Sequence, residues 1–343
     1  MATGKILVVG YGSAGRRHAM NLRDAGAENL IFLRSGRPAV LDQSPPPGEQ
    51  VRDLSEALAH NVCAAIIATP TAMHLDCALK LAEHGCHLFI EKPVTTDREI
   101  ERCQQLIKIA REKELVTMVG FQFRFHALLI ALREGLQLGR IGAVIEAQAE
   151  WGEYLPDWHP WEDYRDGYAA REDLGGGVML TLIHPIDYLY WMFGEPTRVQ
   201  AEYGKLTQLQ TSVPDDWAKL KLHFQRGVTA TVHLDYLQRP AVHRLTVSGD
   251  DGHATLDFHA GELIWVVNGE EVNRLGVRSD YTRNDMFVAE MKHFLDCVAA
   301  RTATDLPLEQ GLASVRIVAE ARQVGKPRQP GDAAVASKRG TGR

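Results

Sequence analysis

At residues 89–94 an apolar strand signal, Phe89-Ile90, runs directly into Glu91-Lys92-Pro93. An acid and a base at a strand end usually make a solvated turn. A lysine held there out of water would have its pKa lowered toward neutrality, and could exchange a proton with a reacting hydroxyl or carbonyl. Glu91 could hold the lysine or touch a cofactor, and Pro93 would fix the turn, as a cis peptide where the geometry requires one. A second run, Gly175-Gly176-Gly177 ahead of His184-Pro185-Ile186-Asp187, sets a histidine at a helix start and a carboxylate one turn on, along the same side. His184 would assist proton transfer. The blander alternatives are a structural histidine and an aspartate that only orients it or meets the helix dipole.

A third run, Gly10-Tyr11-Gly12-Ser13-Ala14-Gly15, fits GxGxxG. The pattern alone is weak, since a ligand-free glycine turn looks the same. Here it follows a strand directly and opens a helix, the setting in which glycines let the backbone approach a pyrophosphate. The end of the second strand should then read the adenosine ribose. An acid there would bind the 2′-hydroxyl of NAD, but this chain has Arg34, Ser35 and Arg37. Guanidinium groups suit a 2′-phosphate, so NADP(H) is expected, with NAD open as the lesser choice and a merely solvated pair of arginines as the alternative.

Residues 151–168 hold three of the six tryptophans, with Tyr154, Tyr164 and Tyr168 and interleaved charges. Aromatic faces stack on sugar rings and polar neighbours read hydroxyls, so Tyr154, Trp158, Trp161 and Arg165 are candidate substrate contacts. Arg165 and Arg171 could pair with a substrate carboxylate or phosphate. A loop folded onto a sheet or a neighbouring subunit would look alike. Gln122 and Arg124, at the crossover between domains, are candidates for cofactor and substrate respectively, or for structural roles. His159, Asp157, His184 and Asp187 match no zinc spacing, and no metal is expected.

These residues need a scaffold. Over the first 120 residues, strand signals at Lys5–Val9, Leu30–Leu33, Ala64–Ala68, His87–Ile90 and Val116–Phe121 alternate with helical ones, which implies a doubly wound parallel sheet. Helices are expected at 13–25, 54–60, 71–84 and 97–113, the last with a Thr96/Glu99 capping box. Beyond residue 121, seven runs from Ala143–Ala149 to Glu262–Val267 look like strands, and many alternate apolar and polar residues, as strands of an open antiparallel sheet do. Helices are expected at 128–134, 185–192, 286–300 and 308–323. The fold class is therefore α/β: a dinucleotide-binding domain over 1–121, an α+β substrate and oligomerisation domain over 122–325, and a disordered tail over 326–343, which has little to bury.

Bulk properties narrow the class. A net charge of −6 with mixed signs gives no reason to expect nucleic acid or an anionic membrane. No apolar run approaches the roughly 20 residues of a membrane span. Five cysteines without a CxxC pair fit a reducing, cytoplasmic setting.

Taken together with Ala68-Thr69-Pro70-Thr71-Ala72-Met73-His74, the glycine loop, Glu91-Lys92-Pro93 and the Gly175–Asp187 run resemble, in order and spacing, the glucose–fructose oxidoreductase / inositol dehydrogenase (Gfo/Idh/MocA) family, over nearly the whole chain to about residue 325. The resemblance implies a Rossmann domain followed by an α+β domain, an NAD(P) cofactor, sugar or polyol substrates, and homodimers or homotetramers. It places Thr69, Pro70 and His74 beside the cofactor, with Ala68 before them a further cofactor-binding candidate, Lys92 near the nicotinamide and reacting carbon, and His184 and Asp187 in the substrate pocket. Many members carry an aspartate three or four residues before this histidine, where this chain has Leu180 and Thr181. Thr181 can still hydrogen-bond a substrate but carries no charge. The sequence reading is thus an NADP(H)-dependent oxidoreductase for a carbohydrate-type alcohol or ketone. A non-catalytic cofactor-binding sensor of the same fold is the competing reading.

Overall fold

The computed structural model describes residues 4–34 and 47–329; Ser35, Arg37 and the tail beyond 329 lie outside them. Two compact units make up the chain, Met1–Phe125 with Tyr281–Val315, and His126–Asp280 with Arg316–Arg343.

The first unit runs β1 (Lys5–Val9), α1 (Ser13–Asp24), β2 (Leu30–Leu33), β3 (Glu49–Val51), α2 (Leu54–Leu58), β4 (Val62–Ile67), α3 (His74–Glu83), β5 (His87–Glu91), α4 (Ile100–Glu112) and β6 (Thr117–Gly120). The six strands are ordered β3-β2-β1-β4-β5-β6, and all pair in parallel. This is the Rossmann order, with its topological switch beside β1 and β4. Val8 sits between Phe32 and Ile66, and Ile66 beside Phe89. These side chains are buried, as a parallel sheet covered on both faces requires. The sequence gives no signal for β3, whose first two residues are exposed on the sheet edge. The Thr96/Glu99 capping box does not form: α4 starts at Ile100, and the Glu99 carboxylate turns to Arg102 instead.

The second unit holds α5 (Ala127–Gln137), β7 (Val144–Gly152), α6 (Val178–Thr181), α7 (His184–Phe193), β8 (Arg198–Gly204), β9 (Trp217–His223), β10 (Thr229–Asp235), β11 (Val242–Gly249), β12 (Gly252–Asp257), β13 (Glu262–Val267) and β14 (Glu270–Gly276). With β15 (Lys326–Arg328) they form one nine-stranded sheet, ordered β14-β13-β12-β11-β7-β10-β9-β8-β15. Most neighbours are antiparallel; β7 with β10 and β8 with β15 are parallel. Alternation decides the faces. Ala147, Ala149, Trp151, Leu220, Val232, Leu245 and Val247 are buried, while Glu146, Gln148, Lys219, Lys221 and Arg244 look out to solvent. Helices α5 and α7 pack on this sheet. The edge strand β14 is too charged to stand out in the sequence. The expected disorder does not begin at 326, because Lys326–Arg328 adds to the sheet edge beside β8.

Helices α8 (Asn284–Ala300) and α9 (Leu308–Val324) complete the fold. The sequence places 281–315 in the second domain, whereas in the fold that segment belongs to the first unit, with α8 against α1. Among the described residues, no helix is long and apolar enough to cross a membrane.

Candidate active site

The glycine loop connects β1 to α1, and its three glycines are of two kinds. Gly10 has φ +86°, and a Cβ there would sit 2.8 Å from the Ala68 carbonyl oxygen. A Cβ on Gly15 would lie 2.0 Å from the Gly10 carbonyl oxygen. Both positions are closed to any side chain, since loop, helix and β4 end touch there. Gly12 differs: it is the N-cap of α1, and a Cβ there would meet nothing within 4 Å. The backbone at Gly12 therefore faces open space at the start of a helix that has no side-chain cap and no acidic residue in its first turn. Such a helix start can serve as a phosphate cradle, since first-turn N–H groups and the positive end of the helix dipole favour an anion. Tyr11, Ser13 and Ala14 complete the loop.

Arg34 follows the last residue of β2. Its guanidinium lies 5.5 Å from the centre of the Tyr11 ring, and Nη1 donates to Gln50 Oε1 at 3.4 Å. Tyr11 in turn meets Phe32 edge to face at 5.4 Å. The charge expected to read the ribose is thus held next to the glycine loop.

After β4 the chain passes Ala68, Thr69 and Pro70 into a short 3₁₀ turn, then α3. His74, the first residue of α3, is buried, with Nε2 2.8 Å from the Thr69 carbonyl and Nδ1 3.0 Å from that of Pro93. Burial holds its pKa below the usual histidine range, although the hydrogen bonds oppose this. A neutral imidazole donates to only one of the two carbonyls. His74 therefore joins the Thr69 turn to the Lys92-Pro93 turn. Nearby, Thr69 Oγ1, Thr95 Oγ1 and the Gln122 carboxamide oxygen are buried without hydrogen-bond partners. Buried polar atoms left over at strand ends beside a phosphate cradle are what a bound dinucleotide would satisfy. The residues present fit NAD(P). Arg124, also buried, donates instead to Gln310.

Lys92 is half-buried and joined to Pro93 by a cis peptide. Glu91 uses both carboxylate oxygens: Oε1 is 2.6 Å from His18 Nε2, and Oε2 accepts from the Lys92 backbone N–H at 3.1 Å. Burial pushes the Glu91 carboxyl up, but the His18 hydrogen bond, His18 and Lys92 outweigh it and hold the pKa below the usual range. Close by on α8, Glu290 is fully buried, and neither of its carboxyl oxygens has a hydrogen-bond partner. Burial, with repulsion from Glu91, pushes its pKa far up despite Arg17, so it is held as the neutral acid. The sequence reading missed both groups. His18 lies one turn after Gly15, and Glu290 interrupts the apolar stripe Met286, Met291, Phe294; each was visible as a polar residue on a core-facing position.

In the second unit, His184 opens α7 and is buried, as are Asp187 and Thr181. The His184 ring stacks on Trp151 at 5.5 Å and 28°. Trp151 stacks on His243, its cross-strand neighbour, at 4.2 Å and 7°, and His243 on Phe258 at 3.9 Å and 16°. No sequence pattern marks this ladder, because register brings its members together. Thr181 lies against the Tyr236 hydroxyl.

The aromatic stretch is largely committed to its own fold. The Arg239 guanidinium covers the Tyr154 ring at 3.8 Å, and Trp158 meets Tyr236 edge to face. Arg165 forks onto Asp163 and reaches Gln210, while Arg171 forks onto Asp173. Trp161 is half exposed, beside His159. Among the described residues, no three His, Cys, Asp or Glu side chains gather as metal ligands do.

Comparison with known proteins agrees with this geometry. The family model for an oxidoreductase family with an NAD-binding Rossmann fold matches residues 4–121, and that for the Gfo/Idh/MocA C-terminal domain matches 129–255. Inositol 2-dehydrogenase of Rhizobium meliloti is 25% identical, over 92% of this chain and 97% of that protein. UDP-N-acetylglucosamine 3-dehydrogenase of Acidithiobacillus ferrooxidans is 27% identical, over 92% and 95%. An oxidoreductase from Agrobacterium radiobacter, solved with NAD+, L-tartaric acid and magnesium, shares the fold with a TM-score of 0.78 at 15% identity, over 93% and 95% of the two chains. The two family models between them take in well over half of the sequence, and the chain belongs to the Gfo/Idh/MocA family of oxidoreductases, with an NAD-binding Rossmann domain at its N-terminus.

Proposed function

We propose that the protein is an NADP(H)-dependent oxidoreductase for a carbohydrate-type alcohol or ketone. The observation that carries the reading is the cradle at Gly10–Gly15, open at Gly12, with Arg34 beside it and Lys92 at the end of β5. When bound, the nicotinamide supplies hydride transfer. The protein's task is to orient the substrate and move one proton. Lys92 is the proton-transfer residue: its ammonium, partly withdrawn from water, gives a proton to a carbonyl oxygen in reduction and takes one from a hydroxyl in oxidation. His184 and Asp187 are the second unit's candidate assisting groups. Arg34 favours the 2′-phosphate over the 2′-hydroxyl, because a guanidinium gains far more from a dianion than from a neutral group. Thr181, Trp158 and Trp161 are kept as proposed sugar contacts, and the related inositol and nucleotide-sugar dehydrogenases support a polyhydroxy substrate. A homodimer or homotetramer is proposed with this reading.

The test is a titration with NADPH and NADH followed by tryptophan fluorescence, then a turnover screen on inositols, free aldoses and UDP-N-acetylglucosamine. Tighter NADPH binding is expected. In Lys92→Ala, kcat should fall about a hundredfold while cofactor affinity survives. Near-wild-type turnover would remove Lys92 from its role. Binding without turnover on any substrate would favour a cofactor-dependent sensor, a reading for which the uncharged Leu180 and Thr181 ahead of His184 speak.

A further inference from the structure

The first unit contains a hydrogen-bonded chain that the reaction as proposed does not use. His18 lies on α1, the helix whose N-terminus is the phosphate cradle. Its ring is fully buried and fixed edge to face by Phe89 at 4.9 Å and Phe287 at 6.2 Å. Nε2 lies 2.6 Å from Glu91 Oε1. The second carboxylate oxygen accepts from the Lys92 backbone N–H. A carboxylate gripped at both oxygens has little rotational freedom, so the position of α1 is transmitted to the backbone of the lysine.

We infer that His18 is a positioning residue: through Glu91 it fixes the Lys92 main chain relative to the cofactor-binding helix, so that the lysine side chain starts from one defined point. The inference rests on the proposed role of Lys92 for its catalytic consequence, but not for its structural content. Three features make it more than a core histidine. Histidine is a poor choice for a site this apolar unless its ring nitrogen is needed. Its partner is a charged carboxylate, which burial penalises strongly unless it is paired. The third is that Glu91 commits its other oxygen to the Lys92 N–H, so a single carboxylate joins α1 to the lysine backbone.

The experiment uses the full chain labelled with 15N-lysine, without and with saturating NADPH. The Lys92 amide resonance is identified by its loss in Lys92→Arg. In His18→Leu, this resonance should shift and its amide should exchange faster with solvent, while Kd for NADPH and NADH changes less than threefold. His18→Gln, which retains a donor, should restore most of the wild-type position, and Glu91→Gln should reproduce the effect from the other side. On whichever screened substrate the wild type turns over, kcat should fall about tenfold or more in His18→Leu with KM little changed. The His18→Leu/Glu91→Gln double variant should be no worse than either single, since both break one chain. An unmoved Lys92 amide in His18→Leu and in Glu91→Gln overturns the inference. So does a loss of NADPH binding that parallels the loss of turnover, which would make His18 a prop for the cradle alone. Wild-type turnover in Lys92→Ala together with a shifted amide would instead refute the proposed chemistry and leave the positioning intact.

Discussion

Replacing Gly12 by alanine should separate folding from cofactor binding. Gly12 has φ −75° and ψ −166°, a conformation open to any residue, and the added methyl meets no atom within 4 Å. The lower entropy of the unfolded chain favours alanine by roughly 0.4–1 kcal/mol. The poorer N-cap costs a similar amount, so stability should change by less than about 0.5 kcal/mol. Binding should behave differently. The methyl occupies the space over the helix N-terminus, and a pyrophosphate pushed off it loses one or two charge-assisted N–H···O bonds at roughly 1.5 kcal/mol each. That is about 1.5–3 kcal/mol, a weakening of roughly tenfold to a hundredfold. Gly15→Ala is the contrast: its Cβ would be forced to 2.0 Å from the Gly10 carbonyl oxygen. The helix must shift, and destabilisation of about 1–3 kcal/mol is expected. The assay pairs thermal unfolding with NADPH titration on both variants. A Gly12→Ala protein with wild-type Kd would mean that the dinucleotide does not pass over this loop. A Gly12→Ala protein that melts as early as Gly15→Ala would mean that the loop is closed where it is described as open.

Two further predictions concern buried titratable groups. His126 is buried edge-on against Phe258, and burial lowers its pKa from 6.5 to about 4. Between those values the unfolded chain holds more protons than the folded one, so stability falls as pH drops through this window, by roughly 3 kcal/mol in all at about 1.4 kcal/mol per unit. His126→Phe should lose less stability than wild type between pH 7 and 4.5 in urea unfolding; equal losses would refute the assignment. Glu290 has the opposite sign: its folded pKa is raised, so stability falls as pH rises above the unfolded value near 4.5, by up to about 1.4 kcal/mol per unit. Glu290→Gln should flatten that slope and raise Tm at neutral pH; an unchanged slope in thermal melts across pH 5–8 would show that Glu290 is not held neutral.

Much of this could be read from residues in a line. The glycine loop and the strands that feed it are local patterns, and Glu262–Val267 is legible to its ends because its apolar run lies between flanking turn residues. What escaped was non-local or without a hydrophobic signature. Strand β3 and strand β14 are short or charged edges, held by pairing rather than by burial of their own. The tie between His18 and Glu91 spans 73 residues, and the stack under His184 depends on the register of β7 against β11. Arg165 and Arg171 look available in the sequence although each has an acidic residue two positions away, because only the folded backbone turns that spacing into a forked pair.

The return of α8 to the first unit has a consequence for how the protein is made. His18 and Phe89 are completed by Phe287 and Phe294, some 200 to 270 residues further along. At ribosomal rates of roughly 5–20 residues per second, the parallel sheet, complete at Gly120, waits on the order of ten to forty seconds for the helix that ends at Ala300. During that interval the face of α1 carrying His18 and Asn21, and the ring of Phe89, stand without their partner helix. The nascent chain thus offers a long-lived apolar surface to chaperones. It follows that a fragment ending at residue 125, although it contains every strand of the first sheet, leaves that sheet uncovered where α8 belongs.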